Sequence, residues 1–194
     1  MEIGATKAVQ DRLKTTKIEE SKGASLVFCW DTHLTKIKGR NVLFIVNASN
    51  RYTIAMTDIE PRNWNYYAMY ISRMIHGVMQ EMGYSEDQIG QYFKMSGDTT
   101  VTKTHGRKSV GGINRMVMDA QYFGKKLEKE AKYQWELSEY LNRDICQPEG
   151  FDAYGYPSEL FKLDMERLGI AAKRKPAKVI DFSQYIESNR GTND

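Results

Sequence analysis

The chain has 194 residues, of which 41% are hydrophobic and 27% charged, a composition that excludes intrinsic disorder and is typical of one globular domain. The formal net charge of +3 is too small by itself to indicate a nucleic-acid-binding protein. No run of about 18 apolar residues is present. The N-terminal residues lack the apolar segment of a signal peptide. We therefore expect a soluble, cytoplasmic protein.

The first part of the chain predicts a short entry segment and then strands. Residues 6–14 are expected to form either a short helix or an irregular segment. Alternating or continuous apolar residues, separated by short turns rich in glycine and asparagine, predict an antiparallel meander. Its four strands are expected at residues 25–30, 33–38, 42–46 and 52–57.

A long helix is predicted from Pro61 to Gly83, since proline is favoured in a first helical turn and glycine after the last. Its apolar residues recur at three- and four-residue intervals, which indicates one face packed on the sheet. The expected core residues of this face are Trp64, Ile71, Met74, Ile75 and Val78. Ser85 followed by Gln88 is a capping-box pattern, which predicts the start of the next helix.

The remaining pattern predicts a fifth strand at residues 99–104, because this segment is rich in β-branched residues. Further helices are expected from an N-cap at Ser109, at residues 125–141, and from Pro157 or Ser158 to about Gly169. We therefore predict an α+β fold with an antiparallel sheet of four to five strands and helices packed on one face. Residues 1–170 are expected to form a single domain, and residues 171–194 a basic, weakly ordered tail.

Catalytic and metal-ligand patterns are scarce. None of the three histidines has a neighbour at metal-ligand spacing, so we expect no metal site and no cofactor. Cys29 and Cys146 are not expected to form a disulfide in the cytoplasm, and Cys29 is expected to be a buried, inert thiol. Asp31 and His33 lie on the same face of a strand, where a carboxylate could orient an imidazole, but a structural role is expected for this pair. No catalytic residue is assigned.

The strongest local signal is a basic segment, which we define as residues 103–115. It contains Lys103, His105, Arg107, Lys108 and Arg115 next to a predicted helix start. Cations beside a helix N-terminus produce a positive potential that suits a phosphate, a nucleic-acid backbone or an acidic protein surface. The alternative is a solvated surface whose charge is balanced by acids elsewhere in the fold.

Two smaller groups are also candidate binding residues. Arg51 lies in a predicted turn, where an exposed arginine with no function is the simpler interpretation. Tyr66 and Tyr70 are four residues apart on a helix and off its core face, as in many partner surfaces. Packing of this tyrosine pair against later helices is the alternative.

A family resemblance is carried by four segments, LVFCW (26–30), HL (33–34), VLFIVNASNRY (42–52) and TKTHGRKSVGGIN (102–114). They resemble FSWHANL, VVLVNDKSRY and FTKTKDRSVLGxLN in a family of small uncharacterised bacterial proteins found near mobile genetic elements. The likeness covers residues 1–141. It departs at residues 31–33, where the family has histidine directly after tryptophan, and at Lys108-Ser109. The resemblance implies a shared fold and assigns no catalytic residue.

Three hypotheses about function follow. The first is a non-enzymatic inhibitor or regulator of a nucleic-acid-acting machine, such as an anti-CRISPR protein that blocks a Cas9-type nuclease. The second is a regulator that binds DNA or RNA directly through residues 103–115. The third is an enzyme with a site around Asp31, His33 and Arg51. We favour a protein that is not an enzyme, binds no membrane and has a protein partner that acts on nucleic acid.

Overall fold

A computed structural model describes residues 1–15 and 18–172. It contains five strands and seven α-helices, with a short 3₁₀ turn at Leu26–Phe28. The strands are β1 (Glu2–Ala5), β2 (Cys29–Ile37), β3 (Arg40–Asn47), β4 (Thr53–Thr57) and β5 (Thr100–Thr102). The helices are α1 (Lys7–Leu13), α2 (Pro61–Asn65), α3 (Tyr67–Glu81), α4 (Glu86–Ser96), α5 (Gly106–Gln121), α6 (Trp135–Asn142) and α7 (Pro157–Arg167).

The strands form one mixed sheet in the order β4-β3-β2-β1-β5. Strands β2, β3 and β4 are antiparallel neighbours, which confirms the α+β class, but the predicted meander has three strands rather than four. The turn between β2 and β3 is tight, since Lys38 and Gly39 both have positive φ, as a two-residue hairpin of this type requires. Strand β1 is parallel to both β2 and β5, so the prediction of a purely antiparallel sheet is wrong.

Helices cover both faces of the sheet, so their expected placement on one face is not confirmed. Side chains alternate along β3, with Leu43 and Ile45 in one hydrophobic cluster and Phe44 and Val46 in another. The first cluster includes buried residues of α3, α4 and α7, and the second includes buried residues of α5 and α6. Burial on both sides explains the unbroken apolar run of β3.

Several predicted elements change their bounds. The long helix is interrupted at Tyr66, which separates α2 from α3. The strand predicted at 25–30 is mostly the 3₁₀ turn, with only Cys29 and Trp30 in β2, which also contains most of the strand predicted at 33–38. The helix expected at 125–141 is reduced to α6. The capping box of Ser85 and Gln88 is confirmed.

The C-terminal tail predicted at residues 171–194 lies, from residue 173 onward, outside the described residues. The prediction of its weak order and the division into domains stay predictions. Over the described ranges, every helix is too short or too polar to cross a membrane.

Candidate functional site

Three ionisable side chains meet at the end of the sheet where β1 lies between β2 and β5. Glu2 comes from β1, Asp31 from β2, and His105 from the position just before α5. The Nδ1 atom of His105 is 2.7 Å from Asp31 Oδ1, and its Nε2 atom is 2.9 Å from Glu2 Oε2. The three residues are only 4%, 0% and 8% exposed, respectively. Because each ring nitrogen faces a carboxylate oxygen, the ring carries a proton on both nitrogens.

The surroundings favour the charged form of His105. Burial, the largest single influence, would lower the pKa of the imidazole, but the hydrogen bond to Asp31, the negative charge of Asp31 and the contact with Cys29 outweigh it and raise the pKa to about 10. Burial would likewise raise the pKa of Glu2, yet hydrogen bonds from Ser21, His105 and the Lys22 backbone N–H lower it. At neutral pH, the network therefore contains an imidazolium held by carboxylate groups.

Asp31 also anchors the start of α5 to the sheet. Its carboxylate accepts a hydrogen bond from the backbone N–H of His105, at 3.2 Å, and another from the hydroxyl of Ser109. Ser109 therefore lies inside the first turn of α5, and the prediction that it is the N-cap is wrong. Gly4 leaves the space that the carboxylate needs, since a Cβ atom there would be 1.8 Å from Asp31 Oδ1. The network thus fixes the direction in which the basic segment leaves the sheet.

The same region contains a set of possible metal ligands. Cys29 is fully buried on β2, and its Sγ contacts the carbonyl oxygen atoms of Ser25 at 3.4 Å and Ala24 at 3.6 Å. Donor atoms of Glu2, Cys29 and His105 all lie within 4.8 Å of one another. Thiolate, imidazole and carboxylate are the ligand types that zinc binds in proteins.

The basic segment contains cations that form no ion pair and cations that are paired with an acidic side chain. Arg107 and Lys108 are exposed in the first turn of α5 rather than before it. Among the described residues, the side chain of Arg107 has no hydrogen bond or ion pair, and the Nζ atom of Lys108 donates only to the carbonyl oxygen of Pro148, at 3.3 Å. Two other predicted binding residues are neutralised, because Lys103 pairs with Glu20 and Arg115 with Asp119.

His105, a candidate binding residue of the basic segment, is buried and does not belong to its exposed surface. Its imidazole points into the sheet, where Glu2 and Asp31 satisfy it. His105 contributes to the surface indirectly, because it holds the chain immediately before Arg107 in place.

Arg51 lies close to the start of α5, which the sequence did not indicate. Its backbone has a φ of 64°, and its side chain, 15% exposed, pairs with Asp144 at 3.6 Å. Arg51, Lys108 and Gly112 line the same small cavity. The structure therefore brings Arg51 next to the basic segment, but as a largely buried residue with an acidic partner.

The tyrosine pair is not a shared exposed surface. Tyr66 is 65% exposed at the break between α2 and α3, whereas Tyr70 is half-buried. The hydroxyl of Tyr70 is buried without a hydrogen-bond partner among the described residues, and burial raises its pKa. Only Tyr66 presents its side chain to solvent.

The hypothetical pair of Asp31 and His33 does not form. The Nδ1 atom of His33 lies 3.2 Å from Thr6 Oγ1, and burial lowers the pKa of the His33 ring. An enzymatic site that combines Asp31, His33 and Arg51 therefore finds no support in these contacts. The pairing of Asp31 with His105, 74 residues away, has no signal in the spacing of the sequence.

Replacing His33 by Gln is expected to reduce the free energy of unfolding by less than about 1 kcal/mol, because only one hydrogen bond to a neutral hydroxyl is changed. Urea denaturation would measure this loss, with His105→Gln as a comparison that should be clearly more damaging. A His33→Gln protein that folds normally but no longer binds its partner would contradict a structural role for His33.

These features define a class of protein: an α+β domain with a mixed sheet, a buried carboxylate–histidine network and an exposed basic helix start. The chain belongs to an uncharacterised family, whose model, described as Domain of unknown function (DUF6933), matches residues 2–160. No curated protein and no solved structure matches the chain. The matched region includes all residues of the network and of the basic segment.

Proposed function

We propose that this protein is a non-enzymatic binding protein that contacts an acidic surface through the exposed cations of the basic segment. The observation that carries this proposal is the position of Arg107 and Lys108. Both side chains are exposed in the first turn of α5, and neither forms an ion pair with a described residue. Clustered cations that form no ion pair do not stabilise the free protein, because like charges repel each other.

The buried network supports this role by limiting the motion of the surface. Asp31 binds residues on both sides of Arg107 and Lys108, namely the backbone N–H of His105 and the hydroxyl of Ser109. A surface that is already ordered loses less entropy when it binds a partner. The first-turn N–H groups of α5 add positive potential to that of the two cations.

Within this proposal, the partner is a protein that acts on nucleic acid, and the chain inhibits or regulates it in the cytoplasm of a bacterium. An anti-CRISPR protein that blocks a Cas9-type nuclease is the specific example, suggested by the family resemblance and its association with mobile elements. Enzymes that act on nucleic acid have acidic as well as basic surfaces. An acidic patch on such an enzyme would be complementary in charge to Arg107 and Lys108.

Direct binding of DNA or RNA is the second candidate, since cations at a helix start are also suited to phosphate groups. The number of unpaired cations in the basic segment argues against it as the main function of that segment. Within residues 103–115, Lys103 and Arg115 are paired with acids, which leaves Arg107 and Lys108 as the main phosphate contacts. Two such contacts correspond to a salt-dependence slope of only about −1.8, far below that of tight DNA-binding proteins.

Reversing both charges, Arg107→Glu with Lys108→Glu, is expected to weaken partner binding at least tenfold, about 1.4 kcal/mol. Folding should be preserved, with a thermal midpoint within a few degrees of the wild type, because both side chains are exposed. The matched control is Lys126→Glu with Lys129→Glu, which makes the same change of charge at two other exposed lysines. Affinity would be measured at low salt against the partner isolated with the wild-type chain.

The isolation step itself separates the two candidate functions. A partner retained from a host lysate after nuclease treatment indicates a protein complex, whereas retention that nuclease abolishes indicates nucleic acid. Wild-type affinity in a correctly folded double variant would exclude Arg107 and Lys108 as the binding surface and leave Tyr66 as the next residue to change.

A further inference from the structure

We propose that Glu2, Cys29 and His105 form a binding site for a divalent transition-metal ion, of which zinc is the best match. The donor atoms of the three residues lie within 4.8 Å of one another, and all three residues are buried. This site is separate from the exposed cations of the proposed function and does not depend on that function.

The types of donor atom select the class of metal. A thiolate sulfur and an imidazole nitrogen suit zinc and its neighbours in the first transition series, whereas calcium and magnesium prefer oxygen ligands alone. Zinc binds sulfur at about 2.3 Å and imidazole nitrogen at about 2.0–2.1 Å. The His105 and Glu2 donor atoms, now 2.9 Å apart in a hydrogen bond, would therefore separate slightly to admit the ion between them, while the Cys29 sulfur lies within 4.8 Å of both. Small side-chain rotations would bring the three donor atoms within bonding distance of one ion.

The backbone already holds two of the ligands side by side. Glu2 and Cys29 are register partners on the parallel strands β1 and β2, and their side chains lie on the same face of the sheet. His105 reaches this face from the segment before α5. A metal ion would therefore connect three parts of the chain that are distant in sequence.

The contacts around the ligands are those that a metal site requires. Asp31 binds the Nδ1 atom of His105 at 2.7 Å and directs the Nε2 atom toward Glu2. A carboxylate on the distal nitrogen is the usual way in which a metal-bound histidine is oriented. Ser21 and the backbone N–H of Lys22 similarly hold the carboxylate of Glu2.

Metal binding would exchange protons for the ion. The proton on Nε2 of His105 and the thiol proton of Cys29 leave to solvent as both atoms become ligands. Three protein ligands leave the fourth tetrahedral position to a water molecule. Since the ligands are buried, the ion's effect would be structural, fastening the start of α5 to β1 and β2.

Cobalt(II) provides the test, because a cobalt–thiolate bond absorbs in the near ultraviolet. The full-length protein, freed of metal by dialysis against EDTA, would be titrated with cobalt(II) chloride. We expect this absorption to saturate at one ion per chain and to disappear when zinc(II) is added. A folded wild-type protein that binds no cobalt, or binds it without thiolate absorption, would overturn the proposal.

The chain supplies a matched control in its second cysteine. Cys29→Ser should lose the thiolate absorption, whereas Cys146→Ser, which changes the other buried cysteine, should retain it. Should Cys29→Ser fail to fold, Glu2→Gln takes its place and is expected to weaken cobalt binding at least tenfold. Absorption that survives in Cys29→Ser, or wild-type affinity in Glu2→Gln, would place the metal elsewhere and refute the site.

Discussion

Replacing Asp31 by Ala is expected to lower the free energy of unfolding by about 3–5 kcal/mol, the range found when one partner of a buried ion pair is removed. The carboxylate of Asp31 is fully buried and binds the ring of His105, its backbone N–H and the hydroxyl of Ser109. Without this carboxylate, the charged imidazole of His105 would contact only one carboxylate among the described residues, that of Glu2.

Urea denaturation of EDTA-treated protein would measure this effect without a contribution from bound metal. Asp152→Ala serves as the control, because Asp152 is exposed and surface substitutions usually change stability by no more than about 0.5 kcal/mol. Equal stability of the Asp31→Ala and Asp152→Ala proteins would mean that the buried network does not hold the start of α5. That result would contradict the proposal that the network holds the binding surface in place before the partner binds.

The second large effect is expected for Ile75→Ala, which should cost about 2–5 kcal/mol, as large-to-small substitutions in a protein core do. Ile75 lies on α3 with no exposed surface, in the hydrophobic cluster that α3 shares with Leu43 and Ile45 of β3. Truncation removes three carbon atoms from a close-packed region, and neighbouring side chains fill the resulting cavity only in part.

Met69→Ala on the same helix is the appropriate comparison, since Met69 is 47% exposed and its truncation leaves no closed cavity. Both variants would be compared by urea denaturation at constant protein concentration. A loss below about half a kcal/mol for Ile75→Ala would be far under the core range and would mean that this face of α3 does not pack on the sheet.

The elements that sequence patterns predicted best are those whose signals are local. The three- and four-residue spacing on α3 correctly indicated that Ile71, Ile75 and Val78 are buried. The capping box at Ser85 predicted the start of α4, because both of its hydrogen bonds form within one helical turn. The continuous apolar run in β3 likewise predicted a strand covered on both faces.

The sequence patterns missed the element that forms by pairing between distant parts of the chain. Strand β1 has only four residues, including Glu2 and Gly4, so its own composition does not favour a strand. It forms because β2 and β5 supply hydrogen bonds on both of its edges.

The candidate site shows the same division. The sequence by itself determined that Arg107 and Lys108 are adjacent cations near a helix start. It also placed Asp31 and His33 on one face of a strand. However, residues two apart on a strand are separated by about 6.6 Å along its axis, and the tertiary structure instead brings His105 to Asp31. The packing of strands that are distant in sequence determines which residue pairs with a buried charge. The spacing of residues along the chain does not predict that pairing.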